Sequence, residues 1–349
     1  MNQLLKGSLF GLLSISIGAS TLQAQTVEQF YRGKSITLFV PSGAGGVNDL
    51  SARLVARYLP RFLPGSPRIV VENVPGAGGL TLANRLFNTL PRDGSVLSVL
   101  ERGTPQSAIA SDIAVKFDPL SLTWLGSLSS YATDAYLLVV NKGFPATSIL
   151  ELQGRGSRKV RLGASGPGAT NRTMPLIGKA VFDLNLEVIL GYSGAPAIAL
   201  AQLRDEVDGQ ITSLSFLRSN QAENWASGKF RALMAFGRKS RHPDLPTVPT
   251  SQEMAANQNV RELINFAELP FYMALPIVAP PGLPEDRARA LIDGFALMIG
   301  DPAFLAAGNE LKLDMSPIGG AAVKKLISEA AATAPETINR YNEIIRSGN

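Results

Sequence analysis

The sequence predicts an α/β protein in which parallel sheet is covered by helices. Short apolar runs such as "SITLFV", "RIVVEN" and "SVLSVL" alternate with longer segments of helical spacing. The joints between them are short and often rich in glycine, which is how repeated βαβ units read. Apolar residues make up 45% of the 349 and charged residues 17%, enough for a sizeable core and too few charges for a disordered chain. That length suits one large domain or two ordinary ones, at about 150 residues each.

The elements follow in order. Residues 1–24 carry Lys6, the apolar run "SLFGLLSISIG" and "LQA" before Gln25, the pattern of a secretory leader too short to span a bilayer of about 30 Å. No cysteine follows it, so a lipid-anchored form is excluded, and an exported, soluble mature chain is expected. "SITLFV" is a strand, and "VNDLSARLVARYLPRFL" is a helix with apolar residues at Leu50, Leu54, Val55, Tyr58 and Leu59. "RIVVEN", "LTLANRLFNTL" and "SVLSVL" continue as strand, helix and strand, with "PRDG" as a turn. "AYLLVV" is a strand, and two further strand–glycine loop–helix units run through residues 158–182 and 186–210. "FRALMAFG" is a strand before the proline-rich "RHPDLPTVPT", a loop or a crossing between domains. "FYMALPIVAPPGLPEDRARALIDGFALMI" gives strand, turn and helix, and the tail is helical with a break at Pro335. "VPSGAGGVNDLSARL" and "VPGAGGLTLANRL" echo one another, as two uses of one device would.

Composition removes several chemistries. No cysteine means no disulfide, thiolate zinc site or cysteine nucleophile, and the single His242 rules out a histidine cluster. After the leader, 32 basic residues face 28 acidic ones, a balance of +4 that favours anionic ligands through the long-range field. The basic residues are scattered, without a stripe or interleaved aromatics, so no nucleic-acid partner is expected.

The glycine loops fail the familiar phosphate and nucleophile patterns. No cluster is followed by the lysine of a P-loop. Counting from Gly43 or Gly76, the last place of a dinucleotide fingerprint holds Asn48 or Thr81. "GASGP" around Ser165 misses the nucleophile elbow at its last position. A simpler reading remains. A glycine loop that opens a helix presents free N–H groups, the positive end of the helix dipole and room for close approach, an anion site without Lys or Arg. The loops at 42–49 and 165–171 fit it, with side-chain help from Ser42, Asn48, Ser165, Thr170 and Asn171, for a carboxylate or a phosphate. Either loop also serves as a mere tight connection. Asp49 is expected to support its loop, Arg53 to be solvated or paired, Trp124 and Trp225 to pack, and Tyr192 to stand at a cleft.

"VPSGAGGVNDLSARL" resembles the first strand–loop–helix of the tripartite tricarboxylate transporter substrate-binding proteins, also called the Bug family. "VVENVPGAGG", "PRDGSVLSVL", "FDPLSLTWLGSL", "GYSGAPAIALAQLRDEVDGQ", "RALMAFGRKSRHPDLPTVPT", "IVAPPGLPEDRARAL" and "DPAFLAAGNELKLDMSPIGG" follow in the family's order, covering nearly all of the mature chain.

The resemblance implies a two-domain periplasmic binding protein of type II, the Venus-flytrap fold, each domain a mostly parallel sheet wrapped by helices. Domain I is expected over 25–130 plus 258–349 and domain II over 131–257. It implies a non-enzymatic receptor that holds a small organic carboxylate (a di- or tricarboxylate, an aromatic acid or an amino acid) and hands it to integral membrane transporter subunits. Backbone amides and bridging waters of two facing loops would bind it. The ligand set is Ser42, Gly43, Ala44, Gly45, Gly46 and Asn48 in one loop and Ser165, Gly166, Gly168, Thr170 and Asn171 in the other, with Tyr192, Gly194 and Ala195 as wall. No cofactor, no metal and a monomer are expected. Relatives often carry a bulky aromatic where Ser42 stands, and a histidine after the second loop, where this chain has Asn171 and Arg172; Arg172 is expected at the surface. A hydrolase using Ser165, or a ligand-binding subunit of a membrane sensor, remain the alternatives.

Overall fold

The computed structural model describes residues 25–154, 156–165 and 169–347; the expected leader and loop residues Gly166 and Gly168 lie outside the described residues. The chain first lays down α1 (Val27–Tyr31), β1 (Ser35–Val40), α2 (Val47–Tyr58), β2 (Arg68–Asn73), α3 (Leu80–Asn88), β3 (Val96–Val99), α4 (Thr104–Ile109) and β4 (Thr123–Ser127). It then builds a second sheet from β5 (Tyr136–Asn141), β6 (Val160–Gly163), α5 (Thr170–Phe182), β7 (Leu186–Ile189), α6 (Ala195–Leu203), β8 (Gly209–Ser213), α7 (Leu214–Asn220), α8 (Ala222–Ala226) and β9 (Phe230–Phe236). It returns through α9 (Gln258–Tyr272) to β10 (Pro276–Ala279), α10 (Glu285–Ile299), α11 (Pro302–Glu310), β11 (Ile318–Gly319), α12 (Gly320–Ala331) and α13 (Pro335–Ser347).

The first sheet has the order β11-β4-β10-β3-β1-β2 and the second β7-β6-β8-β5-β9. Strands β1, β2 and β3 run parallel, as do β6, β7 and β8. Both sheets are mixed beyond these cores. Strand β10 enters antiparallel between β3 and β4, and β5 lies antiparallel between β8 and β9. Both strands arrive from the other sheet by a crossing, β10 by way of α9, so neither closes a βαβ unit with a strand of its own sheet. Strand β1 shows why the central strands read as unbroken apolar runs. Ile36, Leu38 and Val40 face one core with Leu97 and Val99, while Phe39 faces the other with Val96.

Two crossings join the sheets, and one arginine ties them together. Arg238, just beyond β9, donates through Nη1 to the carbonyls of Tyr131, Ala132 and Asp134 in the first crossing, at 3.1, 3.0 and 2.6 Å. Asp134 in turn accepts from the Ser215 N–H and hydroxyl at the start of α7. Glu268 on α9 is fully buried, accepting from the Ser251 hydroxyl, Tyr272 Oη and Gln252 Nε2. A single apolar cluster spans both sheets through Phe266 and Phe271 of α9 and Tyr341 of α13. Helix α13 packs on α5 and α9 although it follows the last strand of the first sheet.

That packing corrects the expectation for Arg172. The residue is 2% exposed, because the first turn of α5 faces α13, and its Nη2 donates to the Ile345 carbonyl at 3.3 Å. A sequence without its partners hides this: a cation near a helix start looks like surface until the docking helix is known.

Burial raises the Glu268 carboxyl above the usual carboxylate range, against the hydrogen bonds from Ser251, Gly237 and Tyr272 that lower it. A raised carboxyl stabilises the fold below its unfolded value, about 4.3, and that contribution is lost as pH rises through the folded value. In urea titrations at pH 5 and pH 8, wild type should therefore lose stability with pH relative to Glu268→Gln, which cannot ionise.

Candidate functional site

The C-terminal ends of β1 and β3 lie side by side where the strand order reverses, the place where open α/β sheets bind ligands. The loop after β1 opens α2. Gly46 caps that helix with extended backbone and no side-chain hydrogen bond, so the first-turn amides keep their donors unspent on any cap. Gly45, at φ +84°, needs glycine. Gly43 and Gly46 have ordinary φ; a Cβ on Gly43 would meet open space and one on Gly46 only the Gly43 carbonyl oxygen at 3.9 Å, so only access distinguishes glycine there. The echo loop differs. A Cβ on Gly79 would lie 2.7 Å from Glu101 Cβ and 3.1 Å from Pro41 Cβ, so that loop is a packing device.

Asp49 supports its loop. It is 2% exposed and accepts from the Gly45 N–H at 2.8 Å. It also pairs with Arg53, Nε to Oδ2 at 2.9 Å and Nη2 to Oδ1 at 3.0 Å. Asn73, at the end of β2, joins Asp49 Oδ1 to the Ser42 carbonyl through its Nδ2, at 3.0 and 2.9 Å. The Gly45 amide is thus spent inside the loop. Ser42 Oγ has no hydrogen-bond partner although the atom is buried.

The second sheet repeats the device. Helix α5 starts at Ala169 and α6 at Gly194, both without a side-chain cap. Asn171 accepts from the Ser165 N–H and donates to Ser165 Oγ at 3.0 Å. The Tyr192 N–H reaches the Ala164 carbonyl, and the Tyr192 ring lies against Gly163, where a Cβ would sit 3.3 Å from Cε2. Ala195 opens α6 beside this loop.

Two residues absent from the expected set connect the halves. After β3, Glu101 accepts from Asn48 Nδ2 at 3.0 Å. Its neighbour Arg102 donates to Thr170 Oγ1 at 2.8 Å and to Tyr131 Oη at 3.1 Å. Thr170 donates onward to Tyr136 Oη at 3.2 Å. The Arg102 guanidinium lies 5.2 Å from the Phe271 ring centroid, 5.5 Å from Tyr136 and 5.8 Å from Tyr131. Asn73 and this Glu–Arg pair were missed because strand ends carry no local signal of what they reach. The available hint was two opposite charges together at the end of a buried strand.

Among the described residues Ser165 is bonded to Asn171 and to no histidine or carboxylate. His242 sits on the far crossing, its Nδ1 accepting from the Asp244 N–H and its Nε2 3.4 Å from the Thr133 carbonyl. Among the described residues no three His, Cys, Asp or Glu side chains gather as a metal site. A cavity of about 460 Å³ lies elsewhere, between α7 and residues 309–315. None of the expected ligand residues lines it, and its Asp134 and Asp314 are engaged in bracing the crossings.

With this geometry in hand, comparison with known proteins is decisive. Residues 52–346 match the model of the tripartite tricarboxylate transporter family receptor. The chain belongs to that family. A UPF0065 protein of Bordetella pertussis is 26% identical over 296 residues, 84% of each chain. A TctC solute-binding protein from Polaromonas, solved without ligand, superposes with a TM-score of 0.67 at 17% identity, covering 91% of this chain and 99% of that one. A Rhodopseudomonas palustris protein solved with adipate gives 0.61 at 20% identity, covering 90% and 97%. The receptor fold of the family, two helix-wrapped sheets, is the one described above.

Arg53 draws the Asp49 carboxyl down to about 2, with the Gly45 and Asn73 hydrogen bonds adding to it against the cost of burial. A depressed carboxyl stabilises the fold above its unfolded value, about 3.9, and the contribution is lost as pH falls towards the folded value. Asp49→Ala strands the Gly45 amide and should cost about 1–3 kcal/mol at pH 7. In urea titrations the gap between wild type and Asp49→Ala should stay constant down to pH 5 and narrow below pH 4.

Proposed function

We propose that this family member is a non-enzymatic, periplasmic receptor that captures a small organic carboxylate between its two sheets and delivers it to the membrane subunits of a tripartite tricarboxylate transporter. One observation carries the reading. Two uncapped helix starts, α2 and α5, lie at the ligand-binding ends of separate sheets, linked through the Asn48–Glu101 and Arg102–Thr170 hydrogen bonds. Amides so placed want an acceptor, and a carboxylate supplies one. The family's function as a transporter receptor agrees, as does the adipate held by the R. palustris protein.

In this reading Ser42, Gly43, Ala44, Gly46 and Asn48 face the ligand from one side, with Ser165, Thr170 and the Gly194–Ala195 turn opposite. Gly45 serves by its shape and Asn171 by its hydrogen bonds to Ser165. The proposed domains are 25–130 plus 258–349 and 131–257, a division supported by the strands of each sheet falling in one of them. Residues 1–24 act as the export leader, and the chain works as a monomer whose closure reports the loaded state. Ser165 bonded to Asn171, with His242 committed elsewhere, gives the hydrolase reading no support.

Thermal melts against mono-, di- and tricarboxylates, aromatic acids, amino acids and phosphate test the reading. A ligand at a hundredfold excess over its Kd adds about 2.7 kcal/mol. One carboxylate class should raise the melting temperature selectively. Gly46→Phe, whose backbone suits any residue and whose Cβ makes only an ordinary 3.9 Å contact with the Gly43 carbonyl oxygen, should melt like wild type without ligand and lose that rise. No rise with any acid, or a rise with phosphate alone, sinks the proposal.

A further inference from the structure

The pair Glu101–Arg102 holds opposite charges at one strand end and aims them at different loops. Arg102 points to the uncapped start of α5, where a cation is disfavoured by the helix dipole unless an anion joins it. Among the described residues its N–H donors meet only neutral hydroxyls, those of Tyr131, Thr170 and Tyr136. Burial raises both Tyr131 and Tyr136 above the ordinary phenol range, so neither supplies a negative charge. Among the described residues no Asp or Glu forms an ion pair with Arg102, and no Lys, Arg or His forms one with Glu101.

Glu101 is held in place rather than free to swing away. Gly79 packs against its Cβ so closely that a Cβ on that glycine would lie 2.7 Å away, and Asn48 fixes Oε2. A second carboxylate brought against this side chain meets like charge. An ammonium brought there finds a carboxylate with an unused oxygen. Resting on the receptor reading, we propose that Glu101 and Arg102 make this site selective for a carboxylate that also carries a positive charge, an amino acid or similar zwitterion. Its carboxylate pairs with Arg102 at the start of α5, and its ammonium pairs with Glu101 beside α2. The aromatic cage of Tyr131, Tyr136 and Phe271 keeps the guanidinium in position, so that little rotamer freedom is lost when the ligand arrives.

Calorimetric titration of the purified protein tests this with homologous ω-amino acids, the diacids of equal chain length and the matching monocarboxylates. Wild type should bind the best amino acid at least tenfold more tightly than its diacid. Glu101→Gln should erase that preference by weakening the amino acid and sparing the diacid. Arg102→Met should weaken every acid at least tenfold, and Arg102→Lys, which keeps the charge should the Met variant fail to fold, should recover part of the loss. A diacid bound as tightly as the amino acid, or a ratio unmoved by Glu101→Gln, overturns the zwitterion proposal while leaving a carboxylate receptor standing. Full affinity in Arg102→Met overturns it as well. Absence of binding by all three series overturns both.

Discussion

A helix that begins without a capping side chain leaves its first amides in need of an acceptor, and this protein places such beginnings at the working ends of both sheets. The rest of the structure follows from keeping them uncapped yet ordered. The loop before α2 keeps its shape through Asp49, which takes the Gly45 amide and is itself held by Arg53 and Asn73. Before α5, Asn171 ties back to the Ser165 N–H and hydroxyl. In both places polar side chains are spent on local geometry, and in the loop before α2 the glycines are left exposed. Preorganisation of this kind lowers the ordering cost that a ligand would otherwise bear.

Facing loops are useful only if the sheets are held at a workable spacing. Arg238 gathers three carbonyls of the opposite crossing, and Asp314 receives the hydroxyls of Ser129 and Thr133 from the same crossing. Helices α9 and α13 add an apolar seam, with Tyr341 Oη donating to Gln106 and Arg172 reaching the Ile345 carbonyl. The C-terminal helix thus belongs by sequence to one sheet and by packing to the other.

Much of this was legible in the residues. Strands β1, β2, β3 and β5 announced themselves as apolar runs, and Pro335 marked the break before α13. Asp49 was readable as loop support because a carboxylate four residues after Gly45, at a helix start, has a local partner within reach. Arg172 was not, since its burial depends on a helix that begins at Pro335. Asn73, Glu101 and Arg102 escaped for the same reason: each acts on a residue from 24 to 68 positions away. Helix α9 was not read at all, and its last residues, Phe271 and Tyr272, were taken into the strand that in fact starts at Pro276. Local chemistry is written locally; contacts between sheets are not.

The place of β10 has a consequence for how the chain reaches this structure. It is a central strand of the first sheet, flanked by β3 and β4, yet it follows the whole of the second sheet in sequence. No chain ending before Pro276 contains a complete first sheet, because β3 and β4 have no shared partner until those residues arrive. The second sheet, contiguous from Tyr136 to Phe236, has all its strands by then. The C-terminal end of β3, which carries the Glu–Arg pair, therefore waits for long-range closure, the slow kind of step in folding. A chain with that order of assembly stays unfinished until its last third has been made.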